Sequence, residues 1–355
     1  MTDRVAALTA LARAQGLDAL LVYSDHNRNY ASRFTGTSGA LLITPKGPFF
    51  LTDSRYTLQA GKQVTHAKVL LQTRNLLVEA VERFKATGAH KIGFEASQVT
   101  VTHYEYLKKA LPKVQWLPAK GLVEGLRLIK DADEQRRMVE AGRITDVAIH
   151  HILGYIKPGV REDELAAELE HEMRRQGAEG TSFDSIVASG WRSALPHGIA
   201  SGKKVQKGDF IVFDFGCKFQ GYCSDMTRTV CVGKPSPLQK KIYGIVQKAQ
   251  AAGLAMVKPG KTTGDVDAAS RNVIKKAGYS KRFGHGTGHG VGVEVHEDPR
   301  VGPGAKDVLK PGMAITVEPG IYLDGRFGVR IEDLVIVQDK GYKNMYRTTK
   351  DLIIV

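Results

Sequence analysis

Gly208-Asp209-Phe210-Ile211-Val212-Phe213-Asp214-Phe215-Gly216 and Gly312-Met313-Ala314-Ile315-Thr316-Val317-Glu318-Pro319-Gly320 share one layout, 104 residues apart. A glycine opens each run, apolar and β-branched residues fill it, and an acid stands near its end, two residues before a closing glycine. Such runs read as buried strands. Buried carboxylates cost several kcal/mol unless they are paired or hold a cation. The two acids therefore need a partner as well as a fold.

Working outward, the same period recurs. Lys157-Pro158-Gly159 lies between two helical patterns, and Lys258-Pro259-Gly260 does so again 101 residues later. Helices are expected from about residue 132, over 162–176, over 238–256 and over 264–277. After each acid-bearing strand the chain returns to a second acid, Asp225 in Ser224-Asp225-Met226-Thr227 and Glu332 in Arg330-Ile331-Glu332-Asp333. The second half of the chain is thus a duplicated unit. If the repeats pack as a pseudo-two-fold pair with their sheets facing each other, the four acids converge in a central cleft.

Upstream, residues 19–23, 40–44, 49–52, 91–94 and 114–117 read as strands, and 56–63, 76–84 and 101–110 as helices. Val5, Leu8, Leu11 and Leu17 are spaced like one face of an N-terminal helix. This is a separate α/β unit. Charged residues gather over 125–134, which places the boundary between a domain of residues 1–125 and one of 126–355.

Composition excludes several classes. With 42% hydrophobic and 25% charged residues and no apolar run near 18 residues, the chain reads as a soluble globular protein without a membrane span. The N-terminus lacks the layout of a signal peptide, so a cytoplasmic setting is expected. Cys217, Cys223 and Cys231 fit neither a zinc cage nor a paired disulfide framework and are expected as buried thiols. A net charge of +14 raises nucleic acid as a partner. The basic residues are scattered among acids without an aromatic-rich binding motif, so a solvated basic surface is the better reading.

Four acids at repeat-related positions call for more positive charge than one side chain supplies. Hard divalent cations take carboxylate oxygens, and two of them can share bridging carboxylates. A nitrogen donor is at hand in Phe283-Gly284-His285-Gly286-Thr287-Gly288-His289-Gly290-Val291-Gly292-Val293-Glu294-Val295-His296, which holds three of the eleven histidines among glycines.

The strings around Asp214, Asp225, Gly288-His289-Gly290, His296-Glu297, Val317-Glu318-Pro319-Gly320 and Arg330-Ile331-Glu332 resemble the pita-bread metallopeptidases: aminopeptidase P, prolidase and methionine aminopeptidase. The resemblance covers roughly residues 127–355. Asn29-Tyr30 and Phe34-Thr35-Gly36 resemble the creatinase-type N-terminal domain of the proline-specific members. The implied fold is a creatinase-like α/β N-terminal domain followed by an α+β pita-bread catalytic domain with an internal pseudo-two-fold repeat.

The resemblance also implies roles. Asp214 would hold one metal through both oxygens, Asp225 and Glu332 would bridge two, and His289 and Glu318 would hold the other, with Glu318 taking the proton of the attacking water. His197, in Leu195-Pro196-His197-Gly198, and His296 match histidines that contact the substrate carbonyl and the oxyanion. His285 matches a further substrate-side histidine, while Tyr322 and Arg330 match residues near the ligands and substrate. Two divalent ions per chain are implied, manganese foremost with zinc or cobalt as alternatives, and a homodimer.

The implied activity is removal of the first residue from peptides with proline in second position, as in aminopeptidase P. Prolidase, which takes only Xaa-Pro dipeptides, is the alternative, and Arg300 is a candidate cation for the product carboxylate. A methionine aminopeptidase normally lacks the N-terminal domain. A metal-free amidinohydrolase or a non-catalytic binding protein would be expected to have lost ligands that this chain keeps.

Overall fold

The computed structural model describes residues 3–355. The chain divides after Arg127 into two compact units. The helix Leu122–Arg127 runs through the position where the charge pattern alone placed the boundary. It belongs to the first unit because Leu122 and Val123 enter that unit's core and Arg127 donates to Asn27 at 2.8 Å.

The first unit is a six-stranded mixed sheet in the order Lys68–Leu71, Phe49–Thr52, Ala40–Ile43, Ala19–Val22, Lys91–Phe94, Gln115–Pro118. Ala40–Ile43 runs antiparallel to both neighbours, and the remaining pairs are parallel. Alternation splits the central strands between two cores. Leu20, Val22, Leu41 and Ile43 face one side, with the helices Arg4–Ala14 and Asp25–Ser32. Ala19, Leu21, Ala40 and Leu42 face the other, with Leu76–Thr87 and Val101–Ala110. In the N-terminal helix Val5, Leu8 and Ala12 form the buried stripe. Leu11 is 38% exposed, and Leu17 is buried after the helix ends. The strand Lys68–Leu71 escapes a pattern search because it is a half-exposed sheet edge with no apolar alternation.

The second unit carries the duplication down to individual backbone bonds. Gly159 N–H donates to Val205 and Gly260 N–H to Leu309; Glu162 donates to Lys203 and Thr263 to Asp307. Gly208 and Gly312 both have φ near +90°, a region open to glycine, and each donates to the end of the strand that returns, at Val232 and Val337. The long helices are Ala132–Leu153 and Glu162–Arg175 in the first repeat, and Pro237–Met256 and Thr263–Lys276 in the second.

Each repeat has its own sheet. The first runs Ile353–Ile354, Met226–Cys231, Phe210–Phe215, Ile186–Ser189, and the second Glu297–Val301, Gly288–Gly290, Ala314–Val317, Asp333–Val337, Tyr342–Asn344. Ile211, Phe213 and Phe215 share a core with Leu165, Leu169 and Ile149 of the first helix pair. Asp214, with the opposite parity, faces away from that core. Ala314, Leu334 and Ile336 join this same core, while Ile315, Val317, Val335 and Val337 pack with Leu254 and Val266 of the second helix pair. Cys217, Cys223 and Cys231 are buried free thiols, and burial pushes Cys223 up to about 12.

Candidate metal centre

The acids sit at strand ends, where the regular ladders of the two sheets give out. Asp214 is the fifth residue of Phe210–Phe215, opposite Thr227. Asp225 directly precedes Met226–Cys231, Glu318 directly follows Ala314–Val317, and Glu332 lies between Phe327–Arg330 and Asp333–Val337. His289 is the centre of Gly288–Gly290, which lies in its sheet where Ile186–Ser189 lies in the other. The nitrogen donor is therefore a feature of the second repeat only.

These five side chains line one cavity of about 420 Å³, together with His197, His285, His296, Arg300 and Arg330. His289 Nε2 lies 3.5 Å from Asp225 Oδ2 and 3.4 Å from Glu318 Oε1. Donor atoms of Asp225, His289 and Glu332 all fall within 4.8 Å of one another. His289 Nδ1 is 3.0 Å from the Gly290 carbonyl, so its proton belongs there and the Nε2 lone pair points at the acids. Burial pushes His289 down to about 4, which keeps the ring neutral. Thr316 Oγ1 accepts from the His289 amide at 3.1 Å, and Thr227 donates to Glu332 Oε2 at 2.6 Å.

Charge balance is the unsolved part of this geometry. Burial, then the neighbouring acids, raises Asp225 and Glu332 well above the usual carboxylate range, and Glu318 is pushed up to about 8, chiefly by burial. Asp214 Oδ1 and Glu332 Oε1 are buried without any hydrogen-bond partner. Unpartnered buried carboxylate oxygens beside a neutral imidazole are the donor set of a divalent cation. The residues present fit such an ion.

Arg330 organises the rest. It donates to Asp214 Oδ2 at 2.5 Å, to Thr227 Oγ1 at 3.2 Å, to the Pro196 carbonyl at 3.2 Å and to the Tyr322 hydroxyl at 2.9 Å. Tyr322 in turn lies 2.9 Å from His285 Nε2, and His285 Nδ1 lies 2.7 Å from the Gly286 carbonyl. Burial, reinforced by Arg330, pushes His285 down to about 4. Tyr322 is thus buried behind Arg330 and does not line the cavity. One oxygen of Asp214 is engaged by Arg330, and Oδ1 is the one left without a partner. His197, His296 and Arg300 are exposed on the cavity wall, and the rings of His289 and His296 are 4.4 Å apart.

The profile described as metallopeptidase family M24 matches residues 136–339, more than half of the chain. The chain belongs to metallopeptidase family M24. The profile of the creatinase/prolidase N-terminal domain matches residues 4–129 of this M24 member. Among solved structures, the Xaa-Pro dipeptidase from Bacillus anthracis is 45% identical, with a TM-score of 0.96 and 99% of each chain covered. The X-Pro aminopeptidase from Thermotoga maritima is 36% identical with a TM-score of 0.91, covering 98% of this chain and 100% of its own. The Xaa-Pro dipeptidase of Pyrococcus horikoshii is 36% identical over 99% of both chains.

Membership of M24 implies use of a divalent metal, in agreement with the acid cluster. Sequence reasoning passed over Thr227 and Thr316, whose hydroxyls touch Glu332 and His289. Thr316 could have been suspected as the one polar residue of Ala314–Val317, two residues before Glu318, whereas Thr227 lies two residues after Asp225 in a strand that also carries Arg228 and Thr229. It also passed over Asp267 and Arg271. Asp267 accepts from Thr287, and Arg271 donates to the carbonyls of Phe283 and His285, so one helix grips the glycine-rich loop.

Proposed function

We propose that this M24 peptidase is an Xaa-Pro dipeptidase, using two divalent cations held by Asp214, Asp225, His289, Glu318 and Glu332. The observation that carries this reading is the cavity itself. It combines the five donors, an apolar wall of Phe183, Ile186, Pro196 and Ile199, and a single exposed cation, Arg300, among eleven charged or imidazole side chains that include one exposed acid, Asp184. The apolar wall suits a pyrrolidine ring, and Arg300 suits the free carboxylate that follows proline in a dipeptide. The names of the Bacillus anthracis and Pyrococcus horikoshii relatives support the same choice over the aminopeptidase reading that the sequence first suggests. The Thermotoga maritima relative, named as an X-Pro aminopeptidase, keeps that second reading in play.

In this reading each side chain has a task. His289 and the four acids would hold the cations, which when bound would supply polarisation of the scissile carbonyl and acidification of the attacking water. Glu318 accepts the water's proton as attack proceeds. His197 and His296, on the cavity wall, donate imidazole N–H groups to the carbonyl oxygen and to the charge that develops on it. Arg330 holds Asp214 by its Oδ2 and, through Tyr322, orients His285. The bond before proline is a tertiary amide without an N–H, so recognition rests on shape rather than on a hydrogen bond to that nitrogen. Manganese is the ion of choice for an oxygen-rich set with one imidazole. A homodimer in the cytoplasm completes the proposal, and light scattering tests the assembly.

The deciding experiment is hydrolysis of matched Xaa-Pro dipeptides and Xaa-Pro-Yaa tripeptides with added manganese. Turnover confined to dipeptides, lost selectively in KM on Arg300→Ala, is the expected result. Tripeptides cut at least as well as dipeptides would return the assignment to an aminopeptidase, and equal cleavage of Met-Ala and Met-Pro would end proline specificity.

A further inference from the structure

Asp225 occupies an irregular point of the backbone. The chain leaves the short sheet of Cys217–Phe219 and Tyr222–Cys223 at Ser224 and enters the longer one at Met226, whose partner is Phe215. Between them the ladder lapses, and Asp225 has no strand partner for its own amide and carbonyl. Both are taken by one side chain. The Asp225 N–H donates to the Tyr346 hydroxyl at 2.9 Å, and that hydroxyl donates to the Asp225 carbonyl at 2.5 Å. A phenol has one proton and lone pairs to accept with, so both bonds can be made at once.

Tyr346 is itself held on each side. Met345 N–H donates to Leu334 in the second sheet, and Tyr346 N–H to Asn344 Oδ1. Asp146, on the helix Ala132–Leu153, accepts from the amides of Arg347 and Thr348 at 2.7 and 3.1 Å and from the Thr348 hydroxyl at 2.6 Å. Tyr346 is 6% exposed and lies outside the cavity lining. It cannot meet substrate there, yet it fixes the main chain of a proposed ligand from behind.

We infer that Tyr346 is a positioning residue for metal binding: its hydroxyl replaces the missing strand partner of Asp225 and sets the direction in which that carboxylate points. This rests on Asp225 being a ligand, as proposed above. Outer groups that orient ligands typically change metal affinity on the order of 10- to 100-fold. Substituting Tyr346→Phe removes one oxygen and keeps the ring, so packing is preserved while both Asp225 bonds are lost.

The test is calorimetric titration of the metal-free full chain with manganese chloride, alongside its thermal unfolding with and without manganese. Tyr346→Phe is expected to weaken manganese binding at least about tenfold and to shrink the manganese-induced rise in Tm. Tyr243→Phe is the control. It deletes another largely buried phenol, bonded to the Lys350 carbonyl at 3.0 Å, and is expected to lower Tm without changing manganese affinity. Asp146→Asn, which loosens the anchor of residues 347 and 348, is expected to weaken binding in the same direction as Tyr346→Phe, and serves if that variant does not fold. Unchanged manganese affinity in Tyr346→Phe, with Asp225→Asn impaired, overturns the inference. Unchanged affinity in Asp225→Asn overturns instead the ligand reading on which it stands.

Discussion

At the scale of single residues, the site is defined by what its acids lack. Asp214 Oδ1 and Glu332 Oε1 are buried and unpartnered, and Asp225 sits among other carboxylates with the neutral His289 3.5 Å from its Oδ2. A cation is what these groups have room for, so Asp225→Asn and Glu332→Gln are expected to lower kcat/KM by more than about 100-fold, beyond the loss from an orienting residue. Metal analysis of the purified variants checks this: full metal content would mean that these oxygens are not ligands. The histidines on the wall behave differently. His296 and His197 are exposed, so alanine there is expected to change stability by no more than about 0.5 kcal/mol. Metal content stays and kcat falls on the order of 10²- to 10³-fold, as for a lost oxyanion donor. Loss of metal from either variant would reassign it as a ligand.

At the scale of elements, the glycine-rich run is explained by its neighbours rather than by the ligand. Gly288–Gly290 lies between Glu297–Val301 and Ala314–Val317. A Cβ on Gly288 would stand 2.1 Å from the Thr316 carbonyl oxygen, and one on Gly290 would stand 2.1 Å from that of Asp298. The strand bearing His289 can enter the sheet only because these positions have no side chain. Gly288→Ala must displace the strand, and the proteins expected from it have lost manganese affinity more severely than helix content. Circular dichroism with calorimetric titration checks this, and native affinity in Gly288→Ala would show that the strand adapts without moving His289. The helix Thr263–Lys276 serves the same loop through Asp267 and Arg271.

At the scale of the whole molecule, the cluster of buried acids couples metal to stability. Without a cation the second unit carries mutually repelling carboxylates in a desolvated cavity. A ligand present at 100 times its Kd adds about 2.7 kcal/mol to the folded state. For a domain of this size that corresponds to a rise in Tm of roughly 5–10 °C. Scanning calorimetry before and after chelation is expected to show the transition of the second unit shifting by this amount, with hydrolysis abolished in the chelated sample and restored by manganese. An unmoved transition and activity that survives chelation would remove the metal from the account. The net charge of +14 belongs to this scale too, and nothing in the site explains it.

What the sequence determined by itself was whatever repeats or alternates along the chain. The duplication, the parity that turns Asp214 away from the core, the helices around the two Lys-Pro-Gly turns and the set of acids and histidines are all local patterns, because period and burial are written at neighbouring positions. What only the tertiary structure decided are the pairings between distant positions. Arg330 meets Asp214 across 116 residues, Thr227 meets Glu332 across 105, and Tyr346 meets Asp225 across 121. Such contacts leave no period to read. They arise where strands of two sheets end side by side, and each exists because a polar group stranded at a buried strand end must find a partner wherever the fold brings one.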